Sequence, residues 1–243
     1  VANSPSGGQG EVGRMALSWL KTYLIEDFCY CPLLLDTPLT ASVYQTNITC
    51  PIFGCTDTLA TNYNPNATID DSSCTYQMTY VPDDNFEQAL IYLGYDNVLD
   101  DSVLTANINT VDSLNVSNSW AWSQISDLTG IEAFTALTYL ECRDNQLTSL
   151  DVSSNTALTT LDCHNNQLTS LDVSTNTALT YLNCRSNQLT SLDVSTNTAL
   201  QILYCWNNQL TSLDLSQNTA LTYLSCSYNQ LTSLDVSQNT ALT

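Results

Sequence analysis

The chain has 243 residues, enough for one large domain or two small ones, and its 43% apolar content is enough to bury a core. Twenty-four Asp and Glu against four Lys and Arg give a formal net charge of -20 at pH 7. That sign excludes the phosphate-neutralising contacts that drive nucleic-acid binding, and it disfavours anionic membrane surfaces. Only 12% of residues are charged and seven are Gly, so the polar surface is built mainly from Ser, Thr, Asn and Asp. Such a surface suits a coil of repeats better than a helical bundle.

No apolar stretch reaches the roughly 18 to 20 residues that cross a bilayer. The start at Val1 rather than Met reads as a mature, exported protein without its signal peptide. Residues 1–13, rich in Ser and Gly, read as a flexible leader. Leu17, Leu20, Leu24 and Phe28, with Tyr23, recur at helical spacing and predict a short amphipathic helix over 14–28, ended by Pro32 and Pro38. The apolar face of that helix needs a partner, either the region before the repeats or another protein. The ten cysteines form two classes, five placed irregularly before residue 75 and five at one fixed interval after residue 140. The first class points to an oxidising compartment, the second to packing.

Residues 54–74, GCTDTLATNYNPNATIDDSSC, resemble a small cysteine-bounded module of Bacteroidota surface proteins, with Ser72 where that pattern has Gly. The resemblance implies a Cys55–Cys74 disulfide, whose loop of about twenty residues would stabilise the module by about 3 kcal/mol. Asp57, Asn62, Asn64, Asn66, Asp70 and Asp71 gather oxygen atoms there, which offers a calcium site; Asn, Asp and Pro are equally what a plain turn demands. Cys29, Cys31 and Cys50 remain, and three thiols cannot all pair among themselves. Cys50 joined to either Cys29 or Cys31 would staple the amphipathic segment to the module and leave one thiol free or shared with another chain. Asn-x-Thr or Asn-x-Ser occurs at 47–49, 66–68 and 115–117, which matters only in a host with N-glycosylation. The Bacteroidota resemblance implies O-glycosylation at Asp-Ser/Thr-aliphatic sites and makes Thr58, Ser102 and Ser113 candidates.

Residues 81–101, VPDDNFEQALIYLGYDNVLDD, predict a short helix with Asp84 as N-cap, Glu87 three positions on, and Gly94 as its stop. Val111, Leu114 and Val116, then Ile125, Leu128 and Ile131, fill the inward positions of degenerate turns. From Leu137 the string LTYLECRDNQLTSLDVSSNTA returns at Leu158, Leu179, Leu200 and Leu221, a period of 21 residues ending at Ala241. Each turn is too small to hide its own apolar face, so neighbours stack into a solenoid with one shared core. Both halves, L-x-x-L-x-C-x-x-N and L-x-x-L-D-V-S-x-N, alternate about their centres and predict a short strand each. In the first turn Leu140, Cys142, Leu150 and Val152 face inward; Tyr139, Glu141, Arg143, Ser149, Asp151 and Ser153 face outward.

These motifs resemble bacterial leucine-rich repeats, in particular the 21-residue class called IRREKO, over residues 137–243. Residues 81–136 resemble the capping region before such repeats in Bacteroidota. The implied fold is a mainly β repeat solenoid poor in α/β units, with an N-terminal helical cap and a small disulfide-stapled module before it. The boundaries fall at 1–49, 50–80, 81–136 and 137–243. Two Asn columns, headed by Asn145 and Asn155, are predicted to satisfy buried backbone groups at the corners. The column from Cys142 to Cys226 sits where the family pattern has an aliphatic residue and is expected to pack as small hydrophobes rather than bridge.

Positions the coil requires must be alike in every turn, and positions free to meet a partner need not be. The second half is nearly constant. The first half varies at its outward sites: Tyr139, Thr160, Tyr181, Ile202, Tyr223; then Glu141, Asp162, Asn183, Tyr204, Ser225; then Arg143, His164, Arg185, Trp206, Ser227. Tyr, Trp and Arg recur as binding anchors, so Tyr139, Arg143, His164, Tyr181, Arg185, Tyr204, Trp206 and Tyr223 form the candidate contact stripe. The same residues also suit strands without any ligand. On the constant face, Asp151, Asp172, Asp193, Asp214 and Asp235 would repel by about 0.8 kcal/mol per adjacent pair in water, a tolerable cost that weakly bound calcium would lower. Thr148, Thr169, Thr190, Thr211 and Thr232 form a column that invites an ice-binding reading, but they lie beside the turn and lack T-x-T pairing. The chain stops in mid-turn at Thr243, so either the array continues or its open end is covered, as by the N-terminal segment of another copy. No nucleophile elbow, phosphate loop or histidine cluster is present, which argues against an enzyme and needs no cofactor beyond optional calcium. The expectation is a surface or extracellular protein that binds a protein or glycan and self-associates head to tail. The alternatives are a subunit of an extracellular filament and, more remotely, an ice-binding solenoid.

Overall fold

In the computed structural model the described residues are 51–118 and 124–243. They belong to two units that divide between Tyr76 and Gln77. The amphipathic segment over 14–28, Cys29, Cys31 and Cys50 lie outside the described residues.

The described part of the first unit, residues 51–76, has almost no regular structure. One bridge pairs Phe53 with Ile69 in parallel, and the Cys55–Cys74 disulfide is formed, with Cα atoms 4.8 Å apart. Cys55 and Ala60 are its buried apolar residues. A segment with so little apolar burial relies on its crosslink.

The second unit opens with strand β1 (Met78–Tyr80), helix α1 (Asp84–Tyr92), strand β2 (Ser102–Leu104) and the short helix α2 (Thr105–Ile108). β1 and β2 pair antiparallel. The N-cap of α1 is Asp83, one residue before the position expected from sequence. Its Oδ1 accepts from Asn85 N and Phe86 N, each at 3.0 Å. Its Oδ2 accepts from Ser126 N and Oγ and from Asp127 N at 2.8 to 3.0 Å. Asp83 wins because only its carboxylate reaches both the helix start and this second loop. Glu87 does not close a capping box; it is fully buried and accepts from the backbone N–H groups of Asp100, Asp101 and Ser102. Gly94, at φ 82°, ends the helix as expected.

Strands β3 (Ser113–Asn115), β4 (Tyr139–Glu141), β5 (Thr160–Asp162), β6 (Tyr181–Asn183), β7 (Ile202–Tyr204) and β8 (Tyr223–Ser225) then form one parallel six-stranded sheet in chain order. The register repeats the sequence period: Tyr139 pairs with Thr160, Thr160 with Tyr181, Tyr181 with Ile202 and Ile202 with Tyr223. The central Leu140, Leu161, Leu182 and Leu203 and the following Cys142, Cys163, Cys184 and Cys205 are fully buried. Those four thiols and the half-buried Cys226 are unbridged, and burial pushes each above its ordinary pKa. The Cys column therefore packs as small hydrophobes.

The second half of each turn is not the strand that its alternation predicts. One isolated bridge, Asp151 with Asp172, marks where a second ladder would run. Each Asp turns its Oδ1 onto the N–H two residues on, as in Ser153 N, Ser174 N and Ser195 N to Asp151, Asp172 and Asp193, all at 2.9 Å. That local turn competes with the ladder for the same backbone. Leu150 and Val152 nevertheless point inward and Ser149, Asp151 and Ser153 outward, as expected.

The corners are held by the two Asn columns. Asn166 Nδ2 donates to Cys142 O and Cys163 O at 3.0 Å, while its Oδ1 accepts from Leu147 N at 3.0 Å. In this first column each amide closes its own corner and ties it to the preceding turn; in the second, as at Asn176, it donates to Val152 O and Asn155 O of the preceding turn. The residue before each Asn of the first column is left-handed in every turn: Asp144, Asn165, Ser186, Asn207 and Tyr228 have φ between 53° and 59°.

Candidate functional site

β4–β8 carry two rows of outward side chains and the residue two beyond each strand a third, and the 21-residue register stacks each row across the turns. The stripe divides into a polar network at its N-terminal end and an aromatic patch at its C-terminal end.

In the network, Glu141 is buried although it faces outward, because its neighbours cover it. It accepts from Tyr139 Oη at 2.6 Å, from Asn115 Nδ2 at 3.1 Å and from Arg143 Nε. That hydrogen bond, followed by burial, pushes the Tyr139 phenol up to about 12, and the same carboxylate raises Arg143. One turn on, His164 is 4% exposed and its Nδ1 is 2.5 Å from Asp162 Oδ1. Asn183 Nδ2 donates to Asp162 Oδ2 at 3.1 Å. Arg185 Nη2 lies 3.2 Å from His164 Nε2. Both ring nitrogens of His164 are therefore engaged.

In the patch, the Arg185 guanidinium lies 5.4 Å from the Trp206 ring centroid. Tyr181, Tyr204 and Tyr223 form a tilted series with centroids 5.9 Å and then 5.0 Å apart. Burial first, and then the Asp162 charge, raise Tyr181 above its ordinary pKa. Tyr223 is 44% exposed and Tyr228 is 81% exposed. Structure thus brings all eight stripe residues onto one face, with Arg143 paired to Glu141 and Arg185 set between His164 and Trp206. The sequence reading missed Tyr228, because an aromatic residue at a left-handed corner breaks the turn-by-turn comparison; its contrast with Asp144, Asn165, Ser186 and Asn207 was the available signal.

In the first unit five of the six proposed calcium ligands serve turns or cross-loop bonds through their side chains, and Asn66 enters through its backbone N–H. Asp57 accepts from Leu59 N and Tyr76 Oη, and the backbone bond first, then the tyrosine, hold its carboxyl below the usual range. Asn62 bridges Ser73 O and Thr75 N. Asn64, Asp70 and Asp71 accept from Asn66 N, Ser72 N and Ser73 N. Among the described residues no His, Cys, Asp and Glu side chains group to hold a metal ion. Thr58 and Ser113 are exposed and Ser102 is half-buried, donating to Asp100 at 2.9 Å. Asp151, Asp172, Asp193, Asp214 and Asp235 line the other side, each held below the ordinary carboxylate value by its bonds from the Ser two residues on. Among the described residues no helix is long and apolar enough to cross a membrane.

Residues 135–176, 156–197, 177–217 and 198–241 each match the family described as leucine-rich repeats in two copies. Internalin J of Listeria monocytogenes serotype 4b is 46% identical over 76 residues, which are 31% of this chain and 8% of that protein. A solved structure of its functional domain, described as including a cysteine ladder, is 33% identical with a TM-score of 0.39 over 69% of this chain and 51% of that one. A second internalin of that species, InlF, is 23% identical with a TM-score of 0.60 over 67% of this chain and 48% of its own, a likeness of fold. A leucine-rich repeat protein of Leptospira interrogans is 25% identical with a TM-score of 0.51, covering 57% and 37%. The chain thus spans about half of each internalin structure and a small part of the curated relative. By its 21-residue register and by the family match, the stretch from 135 to 241 is a leucine-rich repeat array.

Proposed function

We propose that the array works by contact outside the cell, with the outward face of β4–β8 as the surface that meets a protein or glycan. One observation carries the reading. The residues that differ from turn to turn lie together on this face, whereas the other half of every turn repeats nearly unchanged. Tyr, Trp and Arg concentrated at such a variable patch are the residue types that anchor interfaces. The Cys55–Cys74 bridge supports an oxidising, extracellular setting, and the 21-residue register supports assignment to the IRREKO-type repeats of surface proteins like those of Bacteroidota. Calcium has no part in this reading, since the module's oxygens serve its turns.

The test compares two double variants of the whole chain on a panel of immobilised extracellular proteins and glycans. Tyr204→Ala with Trp206→Ala is expected to abolish capture and leave the chain monomeric by sedimentation. Thr190→Ala with Asp193→Ala, on the repeated face, is expected to leave capture intact. The reverse pattern would overturn the proposal.

A further inference from the structure

The chemistry at the C-terminal end of the stripe says more about the partner. Among the described residues the Lys and Arg side chains are Arg143 and Arg185, and both lie on this face ahead of its aromatic end. Arg143 is held by Glu141. Arg185 lies over Trp206, with its Nη2 3.2 Å from His164 Nε2. Arg143 is thus offset by a carboxylate and Arg185 keeps its charge, while the chain as a whole carries -20. Beyond Arg185 the outward side chains change from charged to aromatic: Tyr204 and Tyr223 stand 5.0 Å apart at 44° to one another. Tyr228 projects at 81% exposure from a corner where the other turns have Asp144, Asn165, Ser186 and Asn207. A tyrosine in the left-handed region is strained, and local strain of this kind concentrates at functional positions.

We infer that Tyr204, Trp206, Tyr223 and Tyr228 form a docking surface for a basic protein segment, whose Arg or Lys side chains lie on the rings. This rests on the contact reading above and adds the chemistry of the partner. The Arg185–Trp206 pair is the chain's own example of the contact: a guanidinium on an aromatic face, in a stripe that supplies further rings in the next turn. The chain's net charge of -20 favours the approach of a cationic segment over an acidic one, and ring contacts rather than ion pairs hold it once there. A neutral glycan would use the same rings but gain nothing from the charge.

The experiment titrates the full chain with four soluble probes: an alternating Arg-Gly peptide, the same peptide with citrulline for Arg, its Glu-Gly counterpart, and a neutral chitin oligosaccharide. Arg-Gly is expected to bind, with affinity falling about tenfold between low and physiological salt, and the other three are expected not to. Tyr223→Ala with Tyr228→Ala should weaken Arg-Gly binding about tenfold, whereas the corresponding Phe variant should retain it. Asp193→Asn with Asp214→Asn, on the opposite side, should change it little, with circular dichroism confirming that each variant is folded. Arg-Gly binding that survives the Ala pair, or that depends on Asp193 and Asp214, would overturn the inference. So would equal binding of the citrulline peptide, or failure of Arg-Gly to bind. Oligosaccharide binding lost in the Ala pair would overturn the basic partner while leaving the contact reading intact.

Discussion

The guanidinium of Arg185 is held between turns, 5.4 Å from the Trp206 ring centroid on one side and 3.2 Å from His164 Nε2 on the other. Three successive turns are thereby joined on the outward face by side chains alone. Lysine has neither the flat face for stacking nor a second donor at the right angle. We therefore expect Arg185→Lys to lower stability by about 1 kcal/mol. The shift in urea midpoint measures this, and a midpoint unchanged from the parent would show that the pair contributes nothing.

The two Asn columns should differ in energetic weight. Asn187 donates to Cys163 O and Cys184 O and accepts from Leu168 N. Asn176 donates to Val152 O and Asn155 O, and its buried Oδ1 accepts from no protein group. Removing Asn187 leaves three buried backbone groups unpaired, at about 1 to 3 kcal/mol each, while removing Asn176 leaves two and relieves one orphan. Asn187→Ala is expected to be the more destabilising substitution in urea denaturation, by about 1 kcal/mol or more.

Two pH limbs follow from opposite shifts. The Tyr139 phenol is raised from 10.0 to about 12 by donating to Glu141. A raised value means stability fully present below pH 10.0 and lost as pH rises toward 12. Tyr139→Phe should lack that alkaline limb and one late step of tyrosinate absorbance. For Asp83, burial pushes the carboxyl up, but the bonds from Ser126, Phe86 and Asp127 outweigh it and leave it below 3.8. A lowered value means stability present above 3.8 and lost as pH falls through the folded value. Asp83→Asn should flatten the acid limb of a thermal-melting profile against pH, and an unaltered limb would contradict the assignment.

Tyr228 should trade stability for contact. At φ 54° it occupies a conformation that Asn and Gly adopt at lower cost. Tyr228→Asn is expected to raise stability by about 0.5 to 1 kcal/mol, read from the thermal midpoint. A loss of stability would mean that the ring packs on the turn instead.

The inward positions were legible because burial leaves a chemical trace: Leu, Val, Cys and Asn recur at fixed places, and the structure buries nearly all of them. The outward rows were legible by contrast between turns. Less accessible were features decided by competition within the backbone. Alternation around Leu150 and Val152 reads as a strand, yet Asp151 closes a local turn onto Ser153 N and takes the segment out of the ladder. Asp83 and Asp84 are indistinguishable as caps until the loop at Ser126 and Asp127 is seen to share the Asp83 carboxylate. The burial of Glu141, His164 and Asn183 on an outward face likewise depends on neighbours one turn away.

Every statement about the stripe depends on which side chains point inward, since a slip of one residue would exchange the two faces. Alkylation of the native chain with iodoacetamide, followed by peptide mapping, asks this at each cysteine. Cys142, Cys163, Cys184 and Cys205 should remain unmodified until urea unfolds the array, with the half-buried Cys226 reacting first among the five. Labelling of Cys163 or Cys184 in the native chain as fast as in the unfolded one would place these thiols, rather than Tyr181 and Trp206, on the outer face and contradict the account.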